Sequence, residues 1–145
     1  MKFAEAIETE LVAVKQENTI VLPLGLLGFE RIKNFVLLAE PEEAPFLWLQ
    51  AVDDPGLAFL VVSPFHVKPD YQPDISESDT EFLNLTSPED ALIFNIVTVR
   101  PNGVSTVNLK GPIVLNRDTL MGKQIIPTNV ADLPLKFPLP AADPS

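Results

Sequence analysis

Apolar residues fall along this chain in short blocks separated by polar or proline-containing breaks, and most blocks read as β-strands. The richest stretch is residues 91–116. Two runs of β-branched and aromatic side chains flank Pro101-Asn102-Gly103. Such side chains suit a pleated, half-buried surface, so the stretch predicts a β-hairpin. Pro101 presets φ, Asn102 tolerates the next turn position, and Gly103 can turn left-handed, which describes a three-residue loop closed by a glycine bulge. A two-residue Asn-Gly turn is disfavoured, because Pro101 has no N–H for the flanking pair. The three-residue loop sets Val97 opposite Val107 and Thr98 opposite Thr106. It places Ile93, Val97, Val99, Val107 and Leu109 on one face, turned to the core.

The remaining pattern fills in a β-rich chain. Strands are predicted near residues 3–8, 11–14 and 19–22, with a turn at 16–18. Pro23-Leu24-Gly25-Leu26-Leu27-Gly28-Phe29-Glu30 is a bend, since two glycines three apart suit neither a helix nor a strand interior. It is not a phosphate cradle, which needs more glycines and a following Lys-Ser/Thr. Strands follow at 34–39, 46–52 and 57–63. Trp48, the only tryptophan, is expected in the core because its ring gains most from burial. Ser76, with Asp79 three positions on, caps a short helix over 77–83. Ser87-Pro88 starts a further helical turn. A strand at 123–126 precedes a proline-rich tail. About ten short strands with frequent turns predict an all-β fold, a small antiparallel β-barrel or sandwich with one or two short helices. The connections are too short for parallel crossovers. Residues 1–139 are expected to form a single domain and 140–145 a flexible tail.

Composition narrows the class. At 145 residues with 46% hydrophobic, the chain can bury a real core. Without cysteine it has no disulfide framework and no thiolate zinc site. The first residues carry Glu5, Glu8 and Glu10 and resemble neither a signal nor a transit peptide. No apolar run reaches the roughly 18 residues of a membrane span. A cytoplasmic location is expected. The net charge is −10, and residues 1–90 hold 17 acidic and 5 basic side chains. Seven carboxylates and no Lys or Arg lie between Asp70 and Asp90. Such a surface repels phosphate backbones, so direct nucleic-acid binding is disfavoured and a basic partner is favoured.

Candidate chemistry is sparse. His66 is the sole histidine, and no serine sits in a nucleophile-elbow pattern. Asp53-Asp54 reads as a turn in which carboxylates cap the backbone. No enzyme activity, metal or cofactor is expected. A protein-binding surface is. Phe65, Pro69 and Tyr71 form its apolar centre, rimmed by Asp53, Asp54, Asp70 and Asp74, in the way that aromatic anchors sit inside a polar rim. Alternatively, Phe65 and Tyr71 pin a loop to the core. A lipocalin-like barrel enclosing a small ligand is the other reading of the architecture.

Several segments together resemble one family. Pro23-x-Gly25-Leu26-x-Gly28-Phe29-Glu30 and Trp48-Leu49-Gln50-x-x-Asp53-Asp54-Pro55-x-Leu57-Ala58-Phe59 look like signatures of the flagellar assembly factor FliW. Pro69-Asp70-Tyr71, Asn95-Ile96-Val97-Thr98-Val99, Asn108-Leu109-x-x-Pro112-Ile113-Val114-x-Asn116 and Gly122-Lys123-Gln124 follow in family order, and Leu133-Pro134-Leu135-Lys136-Phe137-Pro138-Leu139 is similar to the family's ending. Gly111 and Phe137 depart from it, standing where Ala and His are more usual. The resemblance implies a β-barrel-like, non-catalytic cytoplasmic regulator, monomeric when free. It implies two partners, flagellin and the CsrA-type RNA-binding regulator. Binding the regulator would relieve its repression of flagellin synthesis. The charge pattern leaves two routes, covering the regulator's basic surface or repelling RNA from beside it; repulsion is favoured, with Asp74, Glu77, Asp79 and Glu81 as the repelling charges.

Overall fold

The computed structural model describes residues 19–101 and 103–139. The strands predicted at 3–8 and 11–14, the turn at 16–18 and the tail at 140–145 lie outside the described residues. Among the described residues nine strands and one α-helix follow in order: β1 Ile20–Val21, β2 Asn34–Ala39, β3 Leu47–Ala51, β4 Ala58–Val62, α1 Glu77–Phe82, β5 Ala91–Thr98, β6 Thr106–Val107, β7 Ile113–Asn116, β8 Gly122–Gln124 and β9 Phe137–Pro138. All ladders are antiparallel, and the strand order β1-β2-β3-β4-β5 branches at β5. One branch runs through β6 to β9 and the other through β7 to β8.

The second branch curls back on β1. Val21 N–H donates to Leu120 O at 3.0 Å, and an isolated parallel bridge joins Val21 to Met121. The sheet therefore bends into a barrel-like ring whose two ends meet at one bridge and not along a continuous ladder. Its interior is filled by one apolar cluster, including Ile20, Leu22, Phe35, Leu49, Phe94 and Ile113. Small barrels are packed with side chains in this way, so the lipocalin-like enclosure is replaced by a solid core. A second cluster lies on the opposite face of β5 and β7, under α1 and the C-terminal segment.

Strand β5 is common to both cores. Successive strand side chains point to opposite faces. Leu92 and Phe94 enter the ring, and Ala91, Ile93 and Val97 enter the outer cluster. The hairpin register holds, with Val97 opposite Val107 and Thr98 opposite Thr106. Two details of the hairpin are corrected. The loop is wider than three residues, because pairing stops at Thr98 opposite Thr106, and Val99 beyond it is 59% exposed. The second arm is also interrupted. Five residues (108–112) intervene between β6 and β7 where β5 has two (95–96), so a bulge leaves the ladder there.

Trp48 is a third correction. Its side chain lies on the outer face of β3, between Leu38 and Leu60, and is only half-buried. Its indole N–H donates to Glu43 Oε1 at 3.2 Å. Strand alternation explains this placement: Leu47, Leu49 and Ala51 take the ring face and leave Trp48 the other. Trp48→Ala is expected to cost well below the about 3–5 kcal/mol of a fully buried aromatic. A urea midpoint falling by the full amount would contradict the placement.

Candidate functional site

The predicted interface residues do not form one surface, because Asp53 and Asp54 lie apart from residues 65–74. Asp53 and Asp54 are exposed on the β3–β4 turn, whose backbone is gathered by the Gln50 amide. Phe65 lies in a 3-10 turn at the far end of β4. Seven residues of extended chain separate the two ends, about 20 Å at the usual rise. Pro69 and Asp70 are exposed, and Asp74 is half-buried. The Asp70 carboxyl is held below its usual pKa by the hydrogen bond and charge of Lys68, 2.9 Å away.

Phe65 and Tyr71 are not surface anchors. They are 2% and 1% exposed, with ring centroids 6.1 Å apart in the outer core. Tyr71 hydroxyl donates to Leu109 O at 2.7 Å. Burial pushes the phenol well above its ordinary range, against an opposing hydrogen bond with Asn95. The reason lies in the bulge. Carbonyls that leave a ladder need other partners. Asn95 Nδ2 donates to Asn108 O at 2.7 Å, Tyr71 to Leu109 O, and Gln124 Nε2 to Gly111 O at 3.1 Å. Pro69-Asp70-Tyr71 thus carries a structural tyrosine.

The same bulge floors an open groove of about 380 Å³. One wall is the bend after β1. Gly25 and Gly28 both have positive φ, and the turns they allow leave Leu24 52% and Leu27 84% exposed. The opposite wall is β8 and its extension, with Ile126 73% exposed. Leu135 closes one side. Gln124 ties the walls together: its Oε1 accepts from Leu27 N–H at 2.9 Å while its Nε2 holds Gly111. A Cβ on Gly111 would stand 3.1 Å from Gln124 Nε2 and 3.2 Å from Asn108 Nδ2, so the bare glycine leaves room for both amides. Glu30 stands at the rim. Its Oε2 accepts from Gly28 N–H at 2.9 Å, and this bond leads in lowering its pKa. Sequence reasoning saw the glycine bend but missed the groove. The available signal was a leucine directly before each glycine, Leu24 and Leu27, both exposed.

The acidic stretch is arranged around α1. Ser76 caps the helix by accepting from Asp79 N–H at 3.1 Å. Asp79 is 7% exposed and paired with Lys123, whose ammonium also lies 5.5 Å from the Phe82 ring. Asp79 is therefore not one of the outward charges, a correction to the predicted set. Glu77, Glu81 and Glu89 are exposed. Asp90 Oδ2 accepts from Thr86 hydroxyl, Thr86 N–H and Ser87 N–H, which together lower its pKa and seat the start of β5. Among the described residues no group of three or more His, Cys, Asp or Glu could hold a metal ion, and no helix is long and apolar enough to cross a membrane.

Comparison with known proteins decides the family. The profile described as "FliW protein" matches residues 5–139. The chain belongs to the FliW family. A flagellar assembly factor FliW of Leptospira biflexa is 42% identical over 118 residues, 79% of this chain and 76% of that protein. That of Syntrophus aciditrophicus is 37% identical over 117 residues, 80% and 74% of the two chains. A crystal structure of the flagellar assembly factor FliW superposes with a TM-score of 0.76 at 34% identity, covering 90% of this chain and 91% of that one. Within this FliW fold, the bend, the bulge and Gln124 are three of the segments that carried the resemblance, and all three line the groove.

Proposed function

We propose that this chain is a non-catalytic, cytoplasmic flagellar assembly factor that binds flagellin and a CsrA-type RNA-binding regulator. Holding the regulator relieves its repression of flagellin synthesis. Flagellin competes for the same pool of free protein, so its level in the cytoplasm sets how much regulator is restrained. The carrying observation is FliW membership across residues 5–139.

The charge distribution supports the mechanism. An RNA-binding regulator presents Lys and Arg to phosphates. The carboxylates between Asp70 and Asp90, with no basic residue among them, attract such a surface and repel RNA. Repulsion reaches about 8 Å at physiological salt, so this protein need only sit beside the RNA site. The carboxylates are dispersed along residues 70–90 of the sequence and not gathered into one run.

The test titrates the regulator with this protein and measures RNA affinity at two ionic strengths. RNA affinity is expected to fall to a plateau, and to fall less at the higher ionic strength. Neutralising Glu77, Glu81 and Glu89 together to Gln is expected to reduce the inhibition more than the binding to the regulator. Continuing loss of RNA affinity without a plateau indicates direct competition and overturns the repulsion mechanism. Failure of both flagellin and the regulator to bind overturns the proposed function itself.

A further inference from the structure

The groove lies where the ring of strands fails to close. In the β7–β8 ladder, Asn116 N–H donates to Met121 O and Ile125 N–H to Pro112 O, both at 2.9 Å. Bonding positions alternate along an antiparallel strand. The N–H and C=O of Gln124 therefore point away from β7, and they have no main-chain partner among the described residues. They face the bend after β1, where Leu24 also makes no main-chain hydrogen bond among the described residues. Above this level the Val21–Met121 bridge joins the two edges. Below it they part, leaving main-chain groups of Gln124 and Leu24 without a main-chain partner among the described residues, between apolar walls.

We propose that this gap receives an extended segment of a partner protein, which adds as a short strand against the free edge of β8. The inference rests on the reading that this chain acts by binding proteins, and names the mode and the chemistry of the segment. Strand addition takes its affinity from main-chain hydrogen bonds and its selectivity from pockets for alternate side chains. The partner's alternate side chains are apolar, because Leu24, Leu27, Ile126 and Leu135 line the walls. Charge complementarity sets its end. Glu30 stands ionised at the rim, whereas the Lys110 ammonium is turned inward to Val130 O at 2.7 Å. With a net charge of −10 behind it, the groove suits an apolar segment ending in Lys or Arg.

The test is amide hydrogen exchange of the full chain alone, with flagellin, and with the regulator. Ile126→Lys serves as the groove variant, since Ile126 is 73% exposed and its replacement leaves the core intact. At least one partner is expected to slow exchange of the Gln124 amide about tenfold or more. Ile126→Lys is expected to weaken that partner's binding about tenfold, the loss typical of an anchor position, with an unchanged melting temperature. Binding that leaves Gln124 unprotected and is indifferent to Ile126→Lys overturns strand addition and leaves the proposed function standing. Absence of binding by either partner overturns both. Protection of Gln124 without partner also overturns the proposal. Protection that grows with protein concentration assigns the groove to a second copy. Protection at all concentrations, relieved by deleting residues 1–18, assigns it to the chain itself.

Discussion

Tyr71→Ala is expected to destabilise the domain by about 3–5 kcal/mol, the range for truncating a buried aromatic. The ring is packed against Phe65 in the outer core, so its loss leaves a cavity bounded by both the 3-10 turn and the bulge. The hydroxyl contributes separately. Tyr71→Phe keeps the ring but leaves Leu109 O without its donor, and a buried orphan carbonyl costs about 1–3 kcal/mol. Urea unfolding of the two variants separates packing from hydrogen bonding. The predicted order is wild type, then Phe, then Ala, with the m-value preserved if the folded state stays compact. Partner affinity of the folded fraction should hold, because the ring does not reach the surface. A variant that melts like wild type but loses its partners would return Tyr71 to the interface.

Much of the fold was legible because it depends on local rules. Short apolar blocks bounded by polar or proline-containing breaks located β2, β3, β4 and β5. The Ser76 cap located α1, and the Pro101-Asn102-Gly103 turn set the hairpin register that pairs Val97 with Val107 and Thr98 with Thr106. Features set by distant parts of the chain were not legible. Trp48 was expected inside because it is large, but which face of β3 is covered depends on where β5 and the outer core lie. The bulge was hidden because its partners come from Tyr71, Asn95 and Gln124, far apart in sequence. This also explains why Phe65 and Tyr71 follow the alternative reading and pin a loop to the core. Phe65 and Tyr71 among prolines resemble an exposed anchor set until the carbonyls of the bulge supply a structural reason for them. Asp79 could not be told from its neighbours without Lys123, 44 positions away. The groove needed the bend, the bulge and β8 to meet, although each had already been singled out in the sequence.

The two glycines of the bend give the sharpest test of that meeting. Gly25 combines a φ of +68° with close approach: an added Cβ would lie 2.6 Å from Glu30 Cα and 2.7 Å from Phe29 O. Gly28 has a φ of +87° but no atom within 4 Å of its added Cβ. Both substitutions to Ala incur left-handed strain of about 1–2 kcal/mol. Only Gly25→Ala adds a steric cost of about 1–3 kcal/mol, because the atoms in the way are backbone and cannot rotate aside. Gly25→Ala is therefore expected to lower the urea midpoint distinctly more than Gly28→Ala. The effect should extend to function. Relief of the clash must push the backbone at Glu30 away from Gly25, opening the turn that holds Leu24 and Leu27 as one wall of the groove. The folded fraction of Gly25→Ala should then bind its partner more weakly, while Gly28→Ala retains affinity. Equal destabilisation by the two variants would show that conformation alone selects glycine here. Loss of stability without loss of affinity in Gly25→Ala would separate this bend from the binding surface.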